Sequence, residues 1–413
     1  MSLVVPTRRL PRTAAFWSVA VLLVLMLAAS GVPSPLYRVY QEQFGFSSGV
    51  LTTIFGIYSF ALLLSLLVVG GLSDHVGRRP VLVVAFVLEA GAMLLFLFAD
   101  GVGWLLAARV VQGLATGGLT STLGATLLDL QRREHPLGAF INSASPGLGL
   151  SLGAAGAGLL VQFVPSPTDW VFGVLTAVFL IAAVGTYLLP ESSPRLPGAL
   201  VSLRPRVHVP PLHRRAFLVA LPCLVATWAL GGLYASLGPS LVAQVFGIDN
   251  HLVGGLLILA LNGTGIVGSL ALRTSRPERA LLLGALIFTV GVSGTLAALF
   301  TTSAALLFVA AVVTGFGFGA AFLGAVATIT RGVAPGHRAG LLAAVFVVGY
   351  LAFSLPAIAA GAAVGAIGLT RTTEIYGAAV VALALLAVAA LLRARRTAVG
   401  LTAPERSSEP VAA

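Results

Sequence analysis

The chain has 413 residues, of which 58 % are hydrophobic and 9 % are charged. Soluble domains carry roughly 25 % charged residues, so this composition excludes a water-soluble fold and indicates that lipid surrounds most of the apolar surface. The single cysteine, Cys223, excludes an intrachain disulfide and a cysteine-clustered metal site. The net charge of +11 would suggest nucleic acid as a partner in a soluble protein. Here arginine provides every basic residue, and the arginines cluster in alternate gaps between apolar segments.

Twelve apolar segments are long enough to cross about 30 Å of hydrocarbon as helices. In chain order, span one to span twelve are predicted at residues 14–36, 47–70, 80–99, 103–128, 137–163, 169–189, 216–240, 251–272, 280–300, 303–328, 337–365 and 372–392. The chain is therefore predicted to be an all-α integral membrane protein with twelve transmembrane helices.

The arginines are distributed very unevenly between the two ends of these spans. If both chain ends lie on one side, that side carries 21 of the 24 arginines, and the exceptions are Arg38, Arg109 and Arg371. Loops that stay in the cytoplasm are enriched in Arg and Lys, so both termini are predicted to be cytoplasmic. The complete absence of lysine is typical of a GC-rich bacterial genome, and we therefore expect a multi-pass protein of the bacterial inner (plasma) membrane.

The middle of the chain indicates a division into two halves. Residues 190–215 contain six prolines, five arginines and no apolar run, so an irregular cytoplasmic linker is predicted there. The predicted domains are a six-helix half at 1–189, this linker, a second six-helix half at 216–392 and a tail at 393–413.

A faint internal repeat supports the same division. The residues Val267–Leu270 followed by Arg276 echo Val69–Leu72 followed by Arg78, with a constant shift of 198 residues. Two pseudo-symmetric halves would form a substrate site at their interface, near the middle of the membrane.

The turn between spans two and three carries a recognisable motif. It resembles the loop signature of the major facilitator superfamily of transporters, Gly-x-Leu-Ala-Asp-Arg-x-Gly-Arg-Arg. His75 replaces the usual arginine, and the matching residues are Gly70, Leu72, Asp74, Gly77, Arg78 and Arg79. The resemblance implies that Asp74, Arg78 and Asp129 form a conformational latch, together with Gly70, Gly77 and Arg79 of the motif, that locks the outward-facing state. The alternative is a plain surface ion pair, which contributes only about 0–1 kcal/mol.

Two charged residues, Glu89 in span three and Arg109 in span four, are predicted to lie inside the membrane. The pattern Arg109-x-x-Gln112-Gly113 is similar to a second motif of the same superfamily. A charge in the membrane is costly unless it is paired or hydrated, and such residues often bind substrates or relay protons. The depths of Glu89 and Arg109 permit pairing, and we expect Glu89 to carry or sense a coupled proton. A purely structural role for both residues stays open.

Span five is rich in glycine. It loosely resembles the antiporter signature Gly-x-x-x-Gly-Pro-x-x-Gly-Gly when Gly149 and Gly153 are aligned, but Ala154 and Ala157 depart from it. Close helix packing would also explain these glycines. The motif therefore leaves the direction of transport open.

Polar and aromatic side chains within or beside the spans that should face the centre predict the substrate site. Tryptophan and tyrosine offer broad apolar faces with one polar tip, which suits organic ligands. Interfacial belts and contacts between helices would explain some of these residues equally well. Span one contains no acid, so neutral and weakly acidic substrates stay open. The candidates are Ser34, Tyr37, Gln112, Thr116, Asn142, Trp228, Tyr234, Asn262 and Tyr350.

The family resemblance implies a secondary active transporter that exports small drug-like molecules or metabolites by proton antiport and alternating access. The alternatives are a proton symporter or facilitator for uptake of a sugar or other metabolite, and a membrane receptor or scaffold that transports nothing. No Walker motif and no metal-ligand spacing is present, so we expect neither enzyme activity nor a cofactor or metal. The expected partners are a small-molecule substrate, protons and the lipid bilayer, with no nucleic acid, and the expected oligomeric state is a monomer.

Overall fold

The computed structural model describes residues 9–132 and 137–400, and these contain twelve helices long and apolar enough to cross a membrane. The predicted all-α fold is confirmed. Arg8, Arg133 and Arg406 of the predicted charge asymmetry lie outside the described residues, as do the two extremities of the predicted domains, 1–8 and 401–413. The observed spans are Arg12–Phe44, Ser48–Val69, Arg78–Leu97, Val102–Leu130, Leu137–Phe163, Pro167–Leu188, Pro211–Gln244, His251–Leu272, Pro277–Thr301, Ala304–Thr330, Gly336–Ile367 and Leu369–Ala394.

Span one extends further than its apolar segment. One helix covers Arg12–Gly31 and a second continues directly from Pro33 to Phe44, where Gly45 ends it with a φ of 66°. The break coincides with Pro33, which lacks the amide hydrogen needed for a helical hydrogen bond. The polar sequence after residue 36 is therefore helical, and the predicted end of span one was eight residues too early.

The ends of the spans that carry most arginines meet at one end of the bundle, called here the arginine-rich end. Arg12 at the start of span one donates hydrogen bonds to the carbonyl oxygens of Leu130 (3.1 Å) and Asp129 (2.6 Å) at the end of span four. In the second half of the chain, Arg331 after span ten pairs with Glu278 of span nine at 2.9 Å. Up-and-down connectivity then places the loops after spans one, three and five at the opposite end.

Equivalent glycine contacts show that the two halves are built alike. Gly113 and Gly117 of span four lie against span two so closely that a Cβ atom on Gly117 would be 2.7 Å from the carbonyl oxygen of Leu62. Gly315 and Gly319 of span ten lie in the same way against span eight, and each follows its counterpart by 202 residues. Small residues permit this close approach of helices in membranes.

The linker contains a single-turn helix, Ala199–Ser202. Span seven begins at Pro211, five residues before its predicted start at residue 216.

The two halves meet from the middle of the bundle to the end opposite the arginine-rich end. Spans two and eleven pack together, with the rings of Phe55 and Phe353 5.1 Å apart. Spans five and eight form the second contact, where the backbone amide of His251 donates to the Gln162 side chain at 3.1 Å.

An ion pair closes the same end of the bundle. Arg38 of span one lies 3.0 Å from Asp249, in the loop before span eight. The hydrogen bond and the charge of Arg38 hold the pKa of Asp249 below its ordinary value. This contact joins the first half to the second at the rim of the bundle.

Candidate functional site

The predicted latch residues come together at the arginine-rich end. The guanidinium of Arg78 lies 2.5 Å from the carboxylate of Asp74 and 3.2 Å from that of Asp129, and it donates to the Ser73 hydroxyl at 2.7 Å. Gly77 makes the turn between these groups possible, because its φ of 110° strains any residue with a Cβ atom. Arg78 is buried, so the two acids and one hydroxyl largely replace its solvent.

Glu191 of the linker binds the backbone of the same turn. The sequence did not predict it as a site residue. Its carboxylate accepts hydrogen bonds from the backbone amides of Arg78 (2.8 Å), Arg79 (3.2 Å) and Ser193 (3.1 Å). Arg78 and Arg79 begin span three, and a carboxylate at a helix N-terminus is favoured by the helix dipole. Partial burial acts to raise the pKa of Glu191, but these three amides and the charge of Arg195 outweigh it and leave the pKa below its ordinary value.

The linker also touches the second half. Its residue Ser192 donates a hydrogen bond to the Asp129 carboxylate at 2.9 Å. Sixteen residues later, the backbone amide of His208 donates to the carbonyl oxygen of Gly340 in span eleven at 3.2 Å. The linker therefore connects the latch residues of the first half to a helix of the second half.

The other motif residues have simpler surroundings. The Arg79 side chain donates a hydrogen bond to the carbonyl oxygen of Leu189 at the end of span six. Gly70 has an ordinary helical backbone with a φ of −53°. Arg79 therefore ties span three to span six, while Gly70 needs no special backbone conformation.

Glu89 lies at the centre of a buried hydrogen-bonded group. Its side chain accepts from the Gln112 amide (3.3 Å) and the Thr116 hydroxyl (3.4 Å). Gln112 in turn accepts from Arg109 at 2.7 Å and donates to the carbonyl oxygen of Ala29 in span one at 3.1 Å. Among the described residues, Glu89 makes no direct ion pair with Arg109. The sequence permits direct pairing, but the structure places Gln112 between the two charges.

Aromatic rings surround the Arg109 guanidinium. Its Nε donates to the Tyr37 hydroxyl at 2.5 Å, and the rings of Tyr37, Tyr58 and Phe96 have their centroids 5.2, 4.9 and 5.8 Å from its central carbon. Such contacts stabilise a desolvated cation. Tyr58 of span two was not predicted as a site residue. The available signal was a tyrosine inside a span, which offers a broad apolar face with one polar tip.

The remaining predicted substrate residues are not all in one place. Trp228 and Tyr350 contact each other edge to face, with centroids 5.0 Å apart. Ser34 is buried in the second segment of span one, near Tyr37 in the chain. The hydroxyl of Tyr234, by contrast, shares a hydrogen bond of 2.8 Å with Thr295 of span nine and belongs to the packing inside the second half.

The two predicted asparagines have different surroundings, one against a neighbouring helix and one bonded within its own helix. Asn142 lies against Gly124 of span four, where an added Cβ atom would be 3.0 Å from its Oδ1. The amide of Asn262 donates to the carbonyl oxygen of Ile258 in its own helix at 3.0 Å. Neither side chain joins the groups around Arg109 or Trp228 through these contacts.

A comparison with known protein families shows to which family the chain belongs. A sequence profile described as Major Facilitator Superfamily matches residues 19–357. The chain belongs to this superfamily. A match of this extent includes both motifs and most of each half.

The known proteins that resemble the chain in sequence carry varied descriptions. It is 29 % identical over 168 residues to an uncharacterised transporter of Rickettsia felis, 28 % over 252 residues to a probable 4-methylmuconolactone transporter of Cupriavidus pinatubonensis, and 26 % over 217 residues to the putative multidrug resistance protein MdtD of Salmonella typhi. The matched stretches cover 40, 58 and 49 % of this chain. They span 39, 58 and 44 % of those relatives, less than two thirds of each.

A solved structure shows the same superfamily fold over nearly the whole chain. The inward-facing, occupied form of a bacterial homologue of the human lysosomal transporter Spinster superimposes with a TM-score of 0.69 over 94 % of this chain and 97 % of that one. The sequence identity is 16 %, so the likeness extends to the fold alone. The chain is thus a multi-pass membrane protein of this superfamily, by family and by fold.

The glycines of span five serve close packing in this superfamily member. A Cβ atom on Gly149 would lie 2.5 Å from Leu27 Cβ, and one on Gly153 would overlap the backbone of Ala28, both in span one. Around Gly156 nothing lies within 4 Å of such an atom. The positions aligned with the antiporter signature are therefore sites where spans one and five touch, while their influence on the direction of transport stays a prediction.

Proposed function

We propose that this protein is a secondary active transporter that exports small organic molecules from the bacterial cytoplasm by proton antiport and alternating access. The observation that supports it is the fully buried Glu89, which the uncharged donors Gln112 and Thr116 contact and which Gln112 joins to Arg109. In this proposal the arginine-rich end faces the cytoplasm, the protein works as a monomer in the inner membrane, and Glu89 carries the exchanged proton.

The surroundings of Glu89 suit both protonation states. Burial away from water penalises the ionised carboxylate, whereas the Gln112 amide and the Thr116 hydroxyl stabilise it by donating hydrogen bonds. Protonation turns one carboxyl oxygen into a donor while the other still accepts, so the neighbour at the protonated oxygen must reorient. If that neighbour is Gln112, its reorientation also affects its bonds to Ala29 in span one and to Arg109 in span four.

Alternating access requires that the halves separate at one end while they join at the other. The structure joins them at the end opposite the arginine-rich end, through Phe55 with Phe353 and Arg38 with Asp249. Under the proposed orientation this is an inward-facing arrangement. The family resemblance implies that the Asp74–Arg78–Asp129 cluster locks the outward-facing state, but its ion pairs are formed within the first half in this arrangement too. We therefore propose that it acts on the second half through the linker residues that contact it.

A second candidate is uptake of a metabolite by proton symport or facilitated diffusion. The relative described as a probable 4-methylmuconolactone transporter supports a metabolite substrate, whereas the relative described as a multidrug resistance protein supports export. A receptor or scaffold that transports nothing has less support, because the linker between Leu188 and Pro211 is too short for a folded module.

Proton movement in everted membrane vesicles distinguishes these functions. Vesicles acidified by respiration and loaded with a pH-sensitive dye receive a panel of drugs and metabolites one at a time. Recovery of the dye signal with a compound, absent in vesicles that lack the protein, supports antiport and identifies that compound as a substrate. The Glu89→Gln variant should abolish this recovery. Compounds that enter cells with protons in the same direction, and cause no recovery in everted vesicles, would replace export by uptake.

A further inference from the structure

Trp228, at the middle of span seven, has an indole nitrogen that is buried but donates no hydrogen bond to any of the residues that the structure describes. The face of its ring lies on Gly349 of span eleven, where an added Cβ atom would be 2.7 Å from Cε2. The rings of Tyr350, Phe353 and Phe322 lie edge to face around it at 5.0, 6.2 and 5.9 Å. A buried N–H without an acceptor is unfavourable and rare in native structures, so it calls for an explanation.

The wall that faces this aromatic group comes from the first half. Phe55 of span two touches Phe353 at 5.1 Å, and Tyr58 follows on the same helix face and lies against Arg109 at 4.9 Å. Phe353, which contacts Trp228, therefore also contacts an uncharged aromatic surface of the first half that has a cation behind it. We call Trp228, Tyr350, Phe353, Phe55 and Tyr58 the aromatic wall.

The charges near the aromatic wall disfavour a cationic ligand. The acids within the spans of the second half are Glu278, which pairs with Arg331 at the arginine-rich end, and Glu374, which pairs with Arg371 near the opposite end. Neither is placed near the middle of the membrane, where Trp228 lies. The charged group that contacts the aromatic wall is the cation Arg109, behind Tyr58, and the carboxyl of Glu89 lies beyond it, joined to Arg109 through Gln112.

We propose that the aromatic wall binds a planar ring compound that bears a carbonyl or carboxylate oxygen, and that this oxygen accepts a hydrogen bond from Trp228 Nε1. The ring of the ligand would stack on flat side chains from both halves, and its oxygen would satisfy the donor that the protein leaves unpaired. A ligand with a protonated amine in place of the oxygen would find no negatively charged acceptor at the aromatic wall. This inference rests on the proposed transport function and specifies its substrate class.

Intrinsic fluorescence tests the proposal on the full-length chain in detergent. The other tryptophans, Trp17, Trp104 and Trp170, are 52, 41 and 60 % exposed on the outside of the bundle, so their replacement by phenylalanine leaves Trp228 as the single reporter. We expect saturable quenching by benzoate and benzamide. Affinity should fall by about tenfold or more for benzylamine, which lacks the acceptor, and for cyclohexanecarboxylate, which lacks the planar ring.

Calorimetric titration of benzoate then examines the donor itself. Trp228→Phe keeps an aromatic ring but removes the N–H, and we expect about a tenfold loss of affinity. Tyr234→Phe is the matched control, because its hydroxyl bonds to Thr295 inside the same half, and its affinity should not change. Equal affinities for benzoate and benzylamine, or unchanged benzoate affinity in Trp228→Phe, would overturn the proposal, and the ligand comparison decides the matter even if that variant does not fold.

Binding and transport can fail separately. Glu89→Gln should still bind benzoate, since Glu89 contacts Gln112 and Thr116 rather than the aromatic wall. Ring-selective binding without proton movement would keep this inference and refute the antiport mechanism. Proton movement driven by compounds without a planar ring, together with no binding of benzoate, would refute this inference and keep antiport.

Discussion

Gln112→Leu should destabilise the protein by about 2 kcal/mol, because Gln112 holds spans one, three and four together. Its side chain makes three hydrogen bonds, to Arg109 at 2.7 Å, Ala29 at 3.1 Å and Glu89 at 3.3 Å. Values from soluble proteins, about 0.5–1.5 kcal/mol for a neutral bond and 1.5–3 for a charged one, would give about 5 kcal/mol in total. The bonds to Ala29 and Glu89 join different spans, and interhelical hydrogen bonds in membranes average about 0.6 kcal/mol each, because the unfolded chain also finds partners within the bilayer. The bond to Arg109 lies within span four, and the same value for it gives a total of about 2 kcal/mol. Because the described residues form twelve candidate membrane spans, the hydrogen-bond value measured in membranes is the appropriate one for Gln112.

The assay is the free energy of unfolding measured by steric trapping in lipid bicelles. Thr122→Val is the matched control, because Thr122 is buried in the same span and its hydroxyl makes no hydrogen bond. We expect a change below about 0.5 kcal/mol for the control. If Gln112→Leu loses no more stability than Thr122→Val, then Gln112 does not link Arg109 to Glu89 in the folded protein, and the reasoning about this group is wrong.

Three further predictions concern packing, pH and salt. Gly153→Val should destabilise the protein by about 1–3 kcal/mol, because the larger side chain overlaps span one. Gly156→Val, which is in open space on the same helix, should lower the thermal midpoint little. Equal losses of stability in the two variants would contradict the packing role of Gly153. The depressed pKa of Glu191 implies a stability contribution that is complete above the unfolded pKa near 4.3 and is lost as the pH falls through the folded pKa. Thermal midpoints measured from neutral to acid pH should therefore fall less steeply in Glu191→Gln than in the wild type, and parallel curves would refute this. Asp249→Asn should raise the rate at which a thiol reagent labels a cysteine introduced behind the contact between Arg38 and Asp249. Because Asp249 is exposed, salt at about 1 M should remove the difference in labelling rate between the variant and the wild type. A difference that persists in salt would show that the contact is not electrostatic.

The membrane spans could be predicted from hydropathy alone, apart from two ends. Span one continues through the polar residues up to Phe44, and span seven starts at Pro211. Hydropathy detects residues that face lipid. It does not detect the part of a helix that extends beyond the lipid and has one polar face. Burial of Leu36, Tyr37 and Tyr40 on one side of the extended helix shows the amphipathic pattern that was the better signal.

A contact between two site residues could be predicted where the family resemblance names both of them. Asp74, Arg78 and Asp129 were expected together, and the carboxylates of both acids lie within 3.2 Å of the Arg78 guanidinium. The position of Gln112 between the buried charges depends on how spans three and four are rotated about their axes, which their composition does not encode. Tyr234 shows the same limitation, because its position on span seven turns it towards Thr295.

The cap formed by Glu191 could not be predicted from local sequence. Glu191 lies 113 residues after Arg78, and only the folding of six spans brings its carboxylate to the start of span three. An acid directly after span six, among arginines, was the available signal.

The most direct test of the central claim compares proton-driven accumulation with equilibrium exchange of one labelled substrate in proteoliposomes. Glu89→Gln is measured beside the wild type and beside Glu42→Gln, a control at the exposed end of span one whose side chain is 68 % accessible. We predict that Glu89→Gln retains exchange at equal concentrations but loses accumulation driven by a pH gradient, while Glu42→Gln retains both. Accumulation that persists in Glu89→Gln would show that the coupled proton is carried elsewhere and would contradict the mechanism.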